Sequence, residues 1–126
     1  MDLLHVGLTS SSEERADEFY VDLLGLEKAE PKVLGAEICR ALFGVDCELM
    51  VINYVGESAH FEVFVRGAAP TAARPIEHAC VGVEDLSEFL RKCESFHVEV
   101  IRVPRGQSVI TFIKDADGNL FEIKGK

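Results

Sequence analysis

The chain repeats itself, and a repeat constrains a fold more tightly than any local propensity, because both copies must solve the same packing problem with the same order of elements. Residues 49–63, LMVINYVGESAHFEV, align without a gap on residues 109–123, VITFIKDADGNLFEI. Each copy reads as an apolar strand, a polar turn and a second strand opening on Phe-Glu-(Val/Ile). DADGN carries the Asp/Gly/Asn chemistry of a hairpin loop, and GESA takes its place in the first copy. Upstream the halves match again: Leu4-His5-Val6-Gly7-Leu8 corresponds to Glu77-His78-Ala79-Cys80-Val81, and each precedes a helix. His78 lies 73 residues after His5, but Glu122 only 60 after Glu62, so the first half holds 13 additional residues. They are expected to include a short helix at Ala36 to Phe43, AEICRALF, whose apolar positions suit a helix better than an alternating strand.

The first long helix is predicted to begin near Ser11 or Ser12. Ser11 with Glu14 forms an S-x-x-E cap, and Ala16, Phe19 or Tyr20, Leu23 and Leu24 recur at helical spacing up to Gly25. In the second half Asp85 with Glu88 offers the equivalent cap, and Leu86, Phe89, Leu90 and Cys93 form the apolar stripe. Strands are expected at about Val98 to Val103, Val109 to Lys114 and Leu120 to Lys124. The expectation is therefore one α+β domain over residues 1–126, made of two β-α-β-β-β modules, 1–66 and 76–126, joined by GAAPTAARP at 67–75.

A length of 126 residues suits one compact domain, and 48% hydrophobic with 28% charged residues belongs to the soluble globular class. No apolar run approaches the roughly 20 residues of a spanning helix. Met1-Asp2-Leu3-Leu4 lacks the basic region of a secretory signal, so a cytoplasmic location and no membrane partner are expected. Cys39, Cys47, Cys80 and Cys93 form no CxxC pair or zinc-ribbon spacing and are expected as small buried apolar side chains. A net charge of -9, with no basic stripe, repels a phosphate backbone and argues against nucleic acid. Arg66, Arg102, Arg105, Lys114 and Lys124 still leave local positive charge for an anionic ligand.

The repeat sets a histidine on the first strand and a glutamate on the last strand of each half: His5 and Glu62, then His78 and Glu122. Taken singly, a histidine among apolar residues is more often a hydrogen-bonded core residue, and a glutamate on a terminal strand is usually just solvated. Their recurrence at matching places favours a two-nitrogen, two-oxygen metal set. Imidazole with carboxylate suits divalent Mn, Fe, Co, Ni or Zn without choosing among them. Residues two apart on a strand share a face. Glu62 therefore shares one with His60, Phe64 and Arg66, while Phe61, Val63 and Val65 form an apolar face for a helix. His60 competes for the ligand role, but its counterpart is Leu120; His97, past the second helix, is expected to be exposed.

The segments LHVGLTSSSEERADEFYVDLLGLE, HFEVFV, EHACVGVEDLSEFLRKCESFHVEV and FIKDADGNLFEIKGK resemble the glyoxalase/bleomycin-resistance/dioxygenase (vicinal-oxygen-chelate) superfamily over nearly the whole chain. Leu-Gly-Leu-Glu at the end of the first helix and the D-x-DGN-x-x-E-(I/L) ending are its most specific signals. The resemblance implies two βαβββ modules forming a half-open eight-stranded barrel around one divalent metal, with the ligands of the glyoxalase and epimerase branches falling on His5, Glu62, His78 and Glu122. It also implies a homodimer, a small-molecule substrate and a lyase or isomerase that moves a proton next to a carbonyl, with Glu122 as first candidate base and Glu62 as second. A non-catalytic binding or resistance protein, a dioxygenase or a thiol transferase are the alternatives on the same fold. Thr9 stands where bacterial glyoxalase I usually has an arginine for the glutathione carboxylate, and Arg66 where an asparagine is common. Glu62 stands where methylmalonyl-CoA epimerases usually have glutamine and fosfomycin-modifying relatives commonly have histidine.

Overall fold

Residues 4–43, 45–67 and 78–126 are described by the computed structural model of the chain, and they form two sheets, one in each half of the sequence. The chain divides into two units, Met1–Ala69 and Pro70–Lys126. Apart from Gly67, the segment expected to join the halves, 67–75, lies outside the described residues.

The first unit runs β1 (Val6–Ser10), α1 (Glu13–Ala16) continued by a π-helical stretch (Asp17–Leu23), β2 (Glu27–Lys28), β3 (Lys32–Leu34), α2 (Ala36–Phe43), β4 (Leu49–Val55) and β5 (His60–Val65). Its sheet has the order β1-β5-β4-β2, with β3 also on β4; β1 is parallel to β5 and the other pairs are antiparallel. The second unit runs β6 (His78–Val83), α3 (Leu86–Ser95), β7 (Val100–Arg105), β8 (Ser108–Lys114) and β9 (Leu120–Gly125), in the order β6-β9-β8-β7 with β6 parallel to β9. The expected βαβββ plan is present in both halves, and α2 occupies part of the 13 additional residues.

The expected count of eight strands becomes nine among the described residues, because the place of one strand is shared by β2 and β3. Lys28 lies opposite Tyr54, but Lys32 lies opposite Val51, a register slip of one residue between the two strands. Pro31 stands in the interruption, where it has no N–H to give to a ladder.

The first helix is capped by Ser12, whose Oγ accepts from the Arg15 N–H at 3.1 Å, so the cap falls one residue after the Ser11-Glu14 box. The π-helical stretch widens the turn: the Leu24 N–H reaches the Phe19 carbonyl, five residues back, at 3.0 Å. The helix ends at Gly25, whose φ of 74° is the left-handed conformation glycine adopts without a Cβ penalty. Ala16, Phe19, Tyr20 and Leu23 are buried. Tyr20 stacks on Tyr54 of β4 with centroids 5.0 Å apart and meets Phe61 of β5 at 5.6 Å, so the apolar face of β5 does meet a helix.

The same contact has a polar rim. The Tyr54 hydroxyl, fully buried, donates to Asp17 Oδ1 at 2.8 Å, and Lys28 of β2 donates to Asp17 Oδ2 at 2.9 Å and also to Glu13. Burial first, then the bond to Asp17, pushes the Tyr54 hydroxyl far above its usual range. Lys28 is raised chiefly by its bonds to Asp17 and Glu13.

In the second unit Asp85 caps α3 by accepting from the Glu88 N–H at 2.9 Å, as the sequence predicts. The helix ends without a glycine: exposed His97 takes the left-handed conformation, φ 57°, and the next residue's N–H closes on the Cys93 carbonyl at 2.9 Å. Cys39 and Cys93 are buried as expected, but Cys47 and Cys80 are exposed. Cys47 lies in the loop before β4. Cys80 alternates with Ala79 and Val81, which pair with the buried Phe121 and Ile123, so it points away from that apolar face. No helix among the described residues is long and apolar enough to cross a membrane.

Replacing Tyr54 by Phe removes one buried hydrogen bond and is expected to lower unfolding free energy by about 1–2 kcal/mol at neutral pH in urea titrations. Tyr54 and Lys28 both have folded pKa values above their ordinary 10.0 and 10.5. Their stabilisation is therefore complete below pH 10 and is lost as pH rises through the raised values. The deficit of Tyr54→Phe against wild type is expected to shrink above pH 10, and a constant deficit up to pH 11 would contradict the assignment.

Candidate functional site

Strand parity selects which side chains leave the apolar layer. On β5, Phe61 and Val63 are buried while His60, Glu62 and Phe64 lie on the other face; on β9, Phe121 and Ile123 are buried while Leu120, Glu122 and Lys124 lie opposite. The parallel partner strand then brings a histidine to each glutamate. In the first unit Val6 registers with Phe61, and His5 stands just before Val6, one residue outside the strand on which it was expected. In the second, His78 opens β6 opposite Leu120. In both cases the glutamate sits two residues beyond the position facing the histidine. His5 Nε2 lies 3.8 Å from Glu62 Oε2, and His78 Nε2 lies 4.0 Å from Glu122 Oε2. The structure thus forms the same diagonal pair twice, once per unit.

The surroundings of the two pairs differ. Glu62 faces Asn53 across the β4–β5 ladder, whereas Glu122 faces Phe112 across β8–β9. The gap-free alignment of the halves would have set Asn53 against Ile113. It fails because the second turn, residues 115–119, is one residue longer than the first, 56–59. Asp115 builds that longer turn: Oδ1 accepts from the N–H groups of Asp117 and Asn119 at 3.0 and 2.8 Å, and Oδ2 accepts from the Asn119 side chain at 2.6 Å. Gly118 supplies the left-handed residue at φ 86°. Burial pushes the Asp115 carboxyl up, and the bonds from Asn119 and Asp117 oppose the shift.

Once the turn is gapped correctly, Asn53 and Phe112 are equivalents, as are His60 and Leu120. In the first unit His60 Nε2 and Asn53 Oδ1 are 2.6 Å apart, and the His60 ring lies 5.6 Å from that of His5. In the second, His78 sits edge-on to Phe112 at 5.2 Å. The sequence reading singled out His60 but missed Asn53, whose signal was hidden by the misplaced gap.

Of the cations proposed for an anionic ligand, Lys124 lies 3.7 Å from Glu122 Oε1 and Lys114 lies 3.3 Å from Glu99 Oε2. Arg66, Arg102 and Arg105 are exposed, and Thr9 is half-buried on β1 opposite Phe64.

Each His–Glu pair offers one imidazole nitrogen and one carboxylate oxygen. Two donors bound to one ion at about 2.1 Å stand roughly 3–3.5 Å apart. The observed separations of 3.8 and 4.0 Å therefore fit neighbouring positions on a divalent ion after a small closing movement. Among the described residues no group of three or more His, Cys, Asp or Glu side chains is placed to hold an ion.

Residues 2–123 match the model of the Glyoxalase/Bleomycin resistance protein/Dioxygenase superfamily. No curated protein matches the chain. Among solved structures, a glyoxalase family protein from Enterococcus faecalis is 20% identical, with a TM-score of 0.71 over 97% of this chain and 95% of that one. A glyoxalase family protein from Bacillus cereus is 17% identical, with a TM-score of 0.74 over 99% and 93%. A mutant of the fosfomycin resistance protein FosX from Listeria monocytogenes, complexed with Mn(II) and 1S,2S-dihydroxypropylphosphonic acid, is 15% identical, with a TM-score of 0.72 over 98% and 90%. These likenesses bear out the α+β fold.

Because Asp115 sets the turn that places Glu122 opposite Phe112, Asp115→Ala is expected to cost about 2 kcal/mol of stability, the scale of a lost buried acceptor. Asp115→Asn keeps a carbonyl oxygen for the backbone donors and is expected to lose less than half as much. Chemical denaturation of both variants checks this ranking, and equal losses would contradict it.

Proposed function

The chain belongs to the Glyoxalase/Bleomycin resistance protein/Dioxygenase superfamily, and on that premise we propose that it is a metal-dependent enzyme whose His5, Glu62, His78 and Glu122 hold one divalent ion. The reaction is proton transfer next to the carbonyl of a small α-oxygenated substrate, a lyase or isomerase chemistry. The observation that carries this reading is the duplicated His–Glu pair, formed at the same diagonal of the same parallel ladder in each unit. Mn, Fe, Co, Ni and Zn all suit two imidazoles and two carboxylates. The complex of the Listeria FosX mutant with Mn(II) supports a divalent metal. A homodimer in the cytoplasm is the proposed working form.

When bound, the ion supplies Lewis acidity towards adjacent substrate oxygens. The chain's own residues divide the remaining work. His5 and His78 would offer imidazole nitrogens to hold the ion. Glu122 takes the substrate proton on a carboxylate oxygen, with Glu62 as its matched alternative; either needs hydrogen-bond reach to that proton before its basicity counts. A resistance protein acting on a phosphonate is the second reading, favoured by the likeness to FosX and opposed by Glu62, where fosfomycin-modifying relatives commonly carry histidine.

Metal analysis is expected to find about one divalent ion per chain, with binding reduced in His5→Ala and in His78→Ala. An empty wild-type protein, or full binding in both variants, would remove the basis of this reading.

Glutamine can offer an oxygen to a metal but accepts no proton at neutral pH. Glu122→Gln is therefore expected to retain most of its metal while losing about 10²-fold or more in kcat, read as exchange of the substrate α-proton with deuterated water. The reverse pattern, with Glu62→Gln inactive and Glu122→Gln active, would exchange the two roles. The glutathione adduct of methylglyoxal is expected to be a poor substrate, well below about 10⁴ M⁻¹s⁻¹ in kcat/KM, since Thr9 and Arg66 do not supply the usual glutathione contacts.

A further inference from the structure

Positions where a duplicated chain breaks its own symmetry mark what one half does alone. The His–Glu pairs are shared by both units, but their neighbours are not: His60 and Asn53 in the first unit stand where Leu120 and Phe112 stand in the second. A histidine at the mouth of a strand needs something to hold its ring. His78 lies within β6, edge-on to Phe112. His5 lies outside β1, with its side chain 47% exposed, and its ring meets His60. Asn53 Oδ1 can only accept a hydrogen bond, so at 2.6 Å the His60 Nε2–H must donate to it. That bond fixes the tautomer and the plane of the His60 ring, and the fixed ring stands 5.6 Å from His5 at an interplanar angle of 55°.

We propose that His60, anchored by Asn53, is a positioning residue for the first-half pair: it holds His5 towards Glu62 and does not itself bind the metal. This rests on the metal reading above. A residue acting on a ligand from outside the coordination sphere typically changes metal affinity 10- to 100-fold. The geometry assigns that role to a chain of contacts from β4 through β5 to His5; in the second unit Phe112 of β8 meets the His78 ring directly.

Calorimetric titration of Zn(II) into wild type, His60→Ala, Asn53→Leu and the double variant tests the proposal, with urea denaturation of the metal-free proteins alongside. Each single variant is expected to bind Zn(II) about 10-fold more weakly. The double variant is expected to lose no more than His60→Ala alone, because the two act in series. Metal-free stability should not fall in step with affinity. Nitrogen NMR of the wild-type histidine rings is expected to show His60 as the Nε2–H tautomer before and after Zn(II) is added.

Tighter Zn(II) binding by Asn53→Leu, or a shift of a His60 nitrogen on metal addition, would make His60 a ligand and overturn the proposal. Unchanged affinity in the variants would overturn it too, as would losses that merely track unfolding. A wild type that binds no Zn(II), Mn(II) or Ni(II) overturns the metal reading with it, whereas wild-type binding unaltered by these substitutions overturns the positioning role alone. Should His60→Ala fail to fold, Asn53→Leu and the tautomer measurement decide the matter.

Discussion

In each half the first strand returns beside the last in parallel, and the rest of the arrangement depends on that pairing. A parallel neighbour requires a crossover, which the helix after β1 and the helix after β6 provide. The crossover covers one face of the sheet, so that face must be apolar: Phe61 and Val63 in one unit, Phe121 and Ile123 in the other, all buried. Side chains of the alternate parity are left for chemistry. A carboxylate at Glu62 or Glu122 is tolerated only because it sits on that alternate parity, where water or a metal can solvate it. Shifting either strand by one residue would drive the glutamate into the apolar layer, so the packing that stabilises each sheet also fixes the register of its His–Glu pair.

The first crossover carries a heavier load than the second. Its π-helical stretch sits beneath Tyr54 and Phe61, and the buried Tyr54 hydroxyl would be costly without the Asp17 acceptor. Lys28, reaching the same carboxylate from β2, ties the short outer strand to the helix. This linkage joins β2, β4 and the helix around one aspartate. The second unit has a plainer solution, with Asp85 capping a regular helix whose Cys93 is buried. The two units therefore reach one topology with different internal reinforcement.

The difference extends to the exposed face. A polar pair, Asn53 and His60, flanks one glutamate, while Phe112 and Leu120 flank the other. Lys124 adds a cation beside Glu122 where the first unit has Phe64 beside Glu62. The His–Glu pair is thus repeated in the two units while its neighbours differ.

The sequence by itself determined the duplicated plan, the apolar and polar faces of β5 and β9, the cap at Asp85, the stop at Gly25 and the helix at Ala36–Phe43. All of these rest on short-range rules: parity along a strand, side-chain capping of a helix start, glycine at positive φ. The expectation of a His–Glu pair in each half came from the repeat, which reports equivalence without reporting distance. Tertiary structure decided what depends on residues far apart in the chain. It placed Asn53 opposite Glu62, gave the second turn its extra residue, and divided one strand into β2 and β3 around Pro31. It also sent Cys80 to the open face although its composition suggested burial. Register is the physical reason for each: it is fixed by hydrogen bonds between strands and by turn geometry, and a one-residue change in a turn leaves hardly a trace in an alignment yet exchanges which side chains meet.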